Sequence, residues 1–234
     1  MTDTPPSVRE LSPEARAALE AVVEAVARDP RAPSSVRDPA DAWQVHVADS
    51  LAGLEFAELH EASAIADLGA GAGFPGIPLA VALPSARIDL IEATSRKCEF
   101  MRRSIDAAGI GNARVICRRS EEWAASAPPE GGRESYDAVV ARAVGRLSTL
   151  AELASPLLVP DGVLVAWKGR RDPDEEAEAS AAASRLAMDS VEVRWVGPFA
   201  GSRNRHLHLL RKRGATPAGL PRRPGMAKKR PFGS

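Results

Sequence analysis

The chain has 234 residues, 44% of them apolar and 26% charged, with two cysteines and a formal net charge of zero. That length supports one domain with extensions and a substantial core, while two cysteines are too few for a disulfide framework or a zinc site, so no metal is expected. No apolar run approaches the roughly 18 residues of a membrane span, and without a basic, then apolar, opening no secretory signal is expected, which leaves a reduced, cytoplasmic protein as the expectation.

In chain order, residues 1–11 are polar and proline-containing and read as a frayed start. Ser12-Pro13-Glu14 opens a helix with a capping serine, proline at the first position and an acid in the first turn. Leu19, Val22, Val23 and Val26 then form one stripe, which ends before Pro30. Arg31 to Arg37 reads as a loop, and Asp38-Pro39 starts a second helical region that carries His46-Val47-Ala48-Asp49-Ser50-Leu51. His46 and Asp49 are three apart and share a face, where they are expected to satisfy each other or a cap rather than do chemistry. Residues 1–60 thus read as a helical N-terminal extension packed on the core.

Ala64 to Pro78 is the stretch around which the chain is organised. It reads as a short buried strand ending at Asp67, a turn with Gly69, Gly71, Gly73 and Gly76, and the first turn of a helix. Glycines gather where the backbone needs positive φ or close approach to a ligand, and a strand–turn–helix of this kind marks a nucleotide-type cofactor site in an open α/β sheet. Two cofactor classes fit. Gly71-Ala72-Gly73-Phe74-Pro75-Gly76 matches the dinucleotide fingerprint, with Glu92 about 20 residues on; Asp67 with Gly69, Gly71 and Gly73 matches the first motif of S-adenosylmethionine-dependent methyltransferases. A pyrophosphate wants free amides at a helix N-terminus and no carboxylate beside them. Asp67 and Pro78 oppose that, so the residues favour the cationic methyl donor.

Strands and helices then alternate. Strands are expected over Ala86–Ile91, Ala113–Cys117, Tyr136–Arg142, Gly162–Lys168, Val191–Val196 and His206–Leu210, and helices over residues 94–108, 147–154 and 173–188. This implies an α/β fold, a doubly wound, mostly parallel seven-stranded sheet over residues 61–213. The last two strands have only a loop between them and should pair antiparallel, giving an antiparallel edge. Asp67, Glu92, Ser120 with Glu121 and Glu122, and Arg142 fall at four successive strand ends, where ligands bind in such sheets. Glu92 could accept from both ribose hydroxyls, and Ser120 and Glu121 could meet the adenine amine. Arg142 needs an anionic or aromatic partner at a buried strand end: Glu121, Glu122, the cofactor's carboxylate or a stacked base. Lys168 could meet a phosphate.

From Arg194 onward there are 11 basic and no acidic residues, against 20 basic and 31 acidic before it. Such asymmetry suggests a polyanion partner. Residues 214–234, with Arg222, Arg223, Lys228, Lys229 and Arg230, read as a basic, flexible tail serving RNA affinity, and its removal is expected to leave cofactor affinity unchanged.

The ordered set His46–Leu51, Asp67–Leu79, Arg119–Glu122, Ala141-Arg142-Ala143 and Trp167-Lys168-Gly169 resembles the bacterial small-subunit (16S) ribosomal RNA guanine-N7 methyltransferases, the glucose-inhibited division protein B family. Phe74-Pro75-Gly76-Ile77-Pro78 is its most specific part. The resemblance implies a class I methyltransferase fold with a helical N-terminal extension, S-adenosylmethionine as cofactor, and methylation of a guanine in the decoding region of 16S ribosomal RNA or the small subunit. Across it and the residue reading, cofactor contacts are expected at Asp67, Gly69, Ala70, Gly71, Gly73, Phe74, Glu92, Ser120, Glu121 and Arg142, with Arg142 also catalytic. RNA contacts are expected at His46, Lys168, Arg203, Arg205 and the five tail cations. Val45 stands where the family usually has arginine, and only part of the family has the basic ending.

Guanine N7 carries its own lone pair, so such an enzyme needs positioning rather than a general base, and the fourth strand lacks the Asn/Asp-Pro-Pro-aromatic motif that grips an exocyclic amine. A monomer is expected. The competing readings are a nicotinamide-dependent oxidoreductase, for which the only tyrosine, Tyr136, is badly placed at a strand start, and a non-catalytic RNA-binding protein on the same fold.

Overall fold

The computed structural model describes residues 11–233, and the frayed start expected over residues 1–11 lies, but for Leu11, outside them. Helix α1 (Pro13–Arg28) begins as its sequence dictates, with Ser12 Oγ accepting from Ala15 N and Pro13 at the first position. Its buried stripe is Leu19, Val22, Val23 and Val26. The second helical region is irregular. A short α2 (Pro39–Ala42) runs into a π-helical turn, Trp43–Ala48, then α3 (Asp49–Leu51), a 3₁₀ turn (Ala52–Glu55) and α4 (Ala57–Glu61). Leu19, Val23, Ala42, Val47 and Leu51 form a cluster of their own against Val81 and Ala82 of the core.

The core is one seven-stranded sheet in the order β3-β2-β1-β4-β5-β7-β6. Its strands are β1 (Ala64–Leu68), β2 (Arg87–Ile91), β3 (Ala113–Ile116), β4 (Tyr136–Arg142), β5 (Leu158–Lys168), β6 (Met188–Trp195) and β7 (His206–Lys212). The first five pair parallel; β7 pairs antiparallel with both β5 and β6. The reversed strand thus lies one place in from the edge, because a loop rather than a crossover helix joins β6 to β7. Helices α5 (Gly76–Ala82), α6 (Ser95–Ala107), α7 (Ser120–Trp123), α8 (Leu147–Ala154) and α9 (Pro173–Leu186) connect the strands, and two apolar clusters fill the two faces of the sheet. Chain order reverses between β1 and β4, which opens a crevice at their carboxyl ends.

The segment after β7 does not behave as a flexible tail. Leu220 and Ala227 are buried, a short helix α10 (Met226–Lys229) packs on α8, and Phe232 packs on the cluster around Leu150. Lys212 begins the anchorage. Its fully buried ammonium donates to Glu134 Oε1 (2.9 Å), Leu158 O (2.6 Å) and Thr216 Oγ1 (2.8 Å). Composition alone suggests disorder, but Glu134 of a loop, Asp189 of β6 and Glu152 of α8 neutralise part of this basic stretch.

Candidate active site

Glycines shape the turn after β1 for different reasons. A Cβ on Gly76 would strike Leu90 and Asp67 at 2.2 and 2.7 Å, and one on Gly73 would strike Ile77 at 2.3 Å. Gly69 (φ 73°) lies against Val144, and Gly71 (φ 62°) needs its positive φ, although a Cβ there would meet only Gly69 O, at 3.8 Å. The amides of this turn are spoken for. Gly69 N and Ala70 N both donate to Ile91 O, Gly73 N and Phe74 N to Ala70 O, Gly71 N to Glu92 Oε2 and Gly76 N to Asp67 Oδ2. A pyrophosphate would find almost no free donor here, which argues against the dinucleotide reading.

Asp67, expected among the cofactor contacts, does not line the cavity that Glu92 and Glu121 line. It is 0% exposed, and its carboxylate pins the start of α5 through Gly76 N (2.7 Å) instead of facing a ligand. Burial raises its pKa from 3.8 to about 7, with the Gly76 bond and Arg142 acting the other way. Oδ1 has no hydrogen-bond partner.

A cavity of about 220 Å³ opens at the carboxyl ends of β1, β2 and β3. Of the expected cofactor residues, Gly69, Glu92, Ser120 and Glu121 line it; Asp67, Ala70, Gly71, Gly73, Phe74 and Arg142 do not. Glu92 is held by Thr94 N (2.8 Å) and Gly71 N (3.2 Å), leaving lone pairs for ribose hydroxyls. Ser120 Oγ donates to Glu121 Oε2 (3.2 Å). Sequence reading missed Val144, Thr149 and Leu153, which give the cavity its apolar wall, and Gly225, Ala227 and Lys228 from the C-terminal segment. Glu92 and Glu121 line the cavity together with the exposed Arg118, Arg119 and Lys228, and carboxylates for the ribose and amine beside an apolar slot suit an adenosine. Cys98, beside it, is packing: its Sγ donates to Glu92 O, and burial pushes its thiol up to about 12.

A second cavity, about 430 Å³, lies past the end of β4, lined by His46, Asp49, Arg142, Ala143, Lys168, Arg205 and His206 among others. Arg142 finds its anion in Asp49 (2.8 Å), not in Glu121 or Glu122, and also donates to Val45 O (3.0 Å) from the π turn. Asp49 therefore serves Arg142, and Arg205 Nε stands 3.2 Å from its other oxygen; His46 and Asp49 do not satisfy each other. His46 stacks on Phe74 (centroids 4.5 Å apart, planes 8° apart), with Ser34 Oγ 2.8 Å from Nε2 and Arg142 Nη2 3.4 Å from Nδ1. Burial, then the Arg142 charge, lowers its pKa to about 4, so the ring is neutral near pH 7. Arg142 also lies over the Phe74 ring at 5.7 Å. Lys168 reaches the rim but is tied to Glu175 (2.7 Å) and Gly145 O (2.9 Å). Arg203 is exposed on the β6–β7 loop.

Consecutive residues line the two cavities, Val144 the one with Glu92 and Glu121, Arg142 and Ala143 the one with His46 and Arg205. Ala143 holds φ 58° there, a left-handed conformation that costs an L residue about 1 kcal/mol. Sheet order, crevice and the cavity at Glu92 and Glu121 together define a class I S-adenosylmethionine-dependent methyltransferase. Solved structures of the same fold include the fibrillarin pre-rRNA processing protein of Methanococcus jannaschii (TM-score 0.55, 16% identity, 71% of this chain and 74% of that one). A SAM-dependent methyltransferase of Aquifex aeolicus is similar too (TM-score 0.51, 16% identity, 82% and 97%). Residues 31–208 match the family model described as GidB, rRNA small subunit methyltransferase G. Relatives called ribosomal RNA small subunit methyltransferase G are 39% identical in Rubrobacter xylanophilus (84% of this chain, 75% of the relative) and 40% identical in Pelotomaculum thermopropionicum (80% and 77%). The chain belongs to this rRNA small subunit methyltransferase G family.

Proposed function

We propose that this methyltransferase acts on N7 of a guanine in the decoding region of 16S ribosomal RNA, with adenosine held between Glu92 and Glu121 and the base received beside Arg142. The observation that supports this best is that consecutive residues line both cavities, Val144 the one with Glu92 and Glu121, Arg142 and Ala143 the one with His46 and Arg205. The cofactor supplies an electrophilic methyl on sulfonium; the chain supplies alignment, which is proximity and orientation rather than proton transfer. Asp49 is engaged as the anion of Arg142, with Arg205 beside it, and both His46 ring nitrogens face partners, so neither is set up as a general base. An acceptor that brings its own lone pair, as guanine N7 does, suits such a site. Arg142 and the neutral His46–Phe74 stack offer a planar cation and an aromatic face to an unstacked base.

Arg203, Arg223, Lys228, Lys229 and Arg230 are exposed and would take RNA phosphates, whereas Arg222 is engaged internally. Val191 and Trp195 are the large apolar side chains most exposed among the described residues, too few for an apolar dimer face, which supports a monomer. No described helix is long and apolar enough to cross a membrane, and we place the enzyme in the cytoplasm with its ribosomal substrate. Methyl transfer from labelled S-adenosylmethionine into undermethylated small-subunit RNA tests the reading. Gly71→Asp, which sets a carboxylate against Glu92 on a positive-φ backbone, should abolish incorporation, and Arg142→Ala should cut it on the order of a hundredfold. Wild-type activity in Arg142→Ala would refute the assignment of the base to that cavity.

A further inference from the structure

The C-terminal segment does not lie apart from the chemistry. Gly225, Ala227 and Lys228 line the cavity that holds Glu92 and Glu121. Two of the bonds that fix them end on cavity groups: Gly225 N donates to Glu121 Oε1 (2.7 Å), and Thr149 Oγ1 donates to Ala227 O (3.3 Å). A latch stands behind them. Arg222 donates to both oxygens of Glu152 (2.6 and 2.5 Å), a carboxylate only 2% exposed, and to Arg230 O (2.7 Å). Its guanidinium also lies 4.0 Å over the Phe232 ring. Bidentate pairs of this kind fix geometry as well as charge.

We propose that residues 222–230 are part of the methyl-donor site: a strap that closes one wall of the adenosine cavity and aims the Glu121 carboxylate, so that cofactor affinity depends on it. The inference rests on reading that cavity as the methyl donor's. With the strap absent, Glu121 loses a charge-assisted hydrogen bond from Gly225 N and the cavity opens beside Thr149 and Val144. A bound adenosine would then keep more of its surface in water. Gly225 takes φ 83° at the start of α10, and that bend turns its amide toward Glu121. The strap also lies outside the residues that match the family model, which stop at 208.

Calorimetric titration with S-adenosylhomocysteine tests this on three proteins besides the full chain: a truncation lacking residues 221–234, the Arg222→Gln/Glu152→Gln pair, and Glu92→Gln. Thermal unfolding without ligand is followed in parallel, so that affinity is compared only between folded proteins. The truncation should weaken binding on the order of tenfold, the double variant should weaken it by a smaller factor, and Glu92→Gln should weaken it as well. If the truncated chain fails to fold, the double variant decides, because it leaves no buried charge unpaired. Unchanged affinity in the strap variants, with binding weakened by Glu92→Gln, would overturn the strap and leave the cavity reading standing. Unchanged affinity in all three would overturn the cavity reading itself.

Discussion

Asp67 is buried, accepts one hydrogen bond and has a bare second oxygen, and its pKa stands at about 7 against 3.8 in its ordinary state. The folded form binds this proton more tightly than the unfolded chain. Its contribution to stability is therefore whole below about pH 4 and is lost as the pH rises through about 7. Asp67→Asn should flatten that loss in urea-unfolding curves taken from pH 4 to 8; an unchanged profile would contradict the assignment. The sequence placed Asp67 correctly at a strand end but could not tell which way its side chain faced, and that direction makes it a brace for α5 instead of a ligand contact. That Glu92, Ser120 and Glu121 come together at one cavity was legible because the parallel sheet leaves strand ends on one rim. Asp49 as the partner of Arg142 was not, because the two are 93 residues apart and meet only through a π turn.

Among the elements, β4 and α8 have the bounds their periodicity and turn residues predict, Tyr136–Arg142 and Leu147–Ala154. β5 starts earlier than expected, at Leu158, running through Pro160 by way of a register shift against β4 that no alternation pattern announces. The C-terminal segment was the least legible, since its composition is that of a solvated basic arm and its partners lie in other elements. Its root is testable. Glu134 accepts from Lys212 and Thr216, and those bonds, Lys212 first, hold its pKa down at about 2. That stabilisation is complete above about pH 4.5 and is lost as the pH falls toward 2. Glu134→Ala would leave a buried ammonium without its anion and should cost about 3 kcal/mol in urea unfolding. A cost below about 1 kcal/mol, as for a surface pair, would show that the segment is not anchored there.

Over the whole molecule, the positive C-terminal stretch from Arg194 is largely spent on holding itself in place. Of the 11 basic residues from Arg194 onward, six pair with carboxylates: Arg194, Arg205, Arg211, Lys212, Arg213 and Arg222. Arg203, Arg223, Lys228, Lys229 and Arg230 have no ion pair among the described residues. RNA affinity should follow these five. Replacing Arg223, Lys229 and Arg230 by Gln should lower the slope of log affinity against log salt by about two units, while Arg213→Gln should leave it unchanged. Equal effects from both would mean that the charge acts as a diffuse field and not through these contacts.

The account turns on where the adenosine sits. A crystal structure of the chain with S-adenosylhomocysteine tests it most directly. It should show the ribose hydroxyls on the Glu92 carboxylate, the base between Val144 and Ala227, and the sulfur toward residues 142–144. Adenosylhomocysteine found in the cavity of His46 and Arg205 instead, with the Glu92 cavity empty, would contradict it.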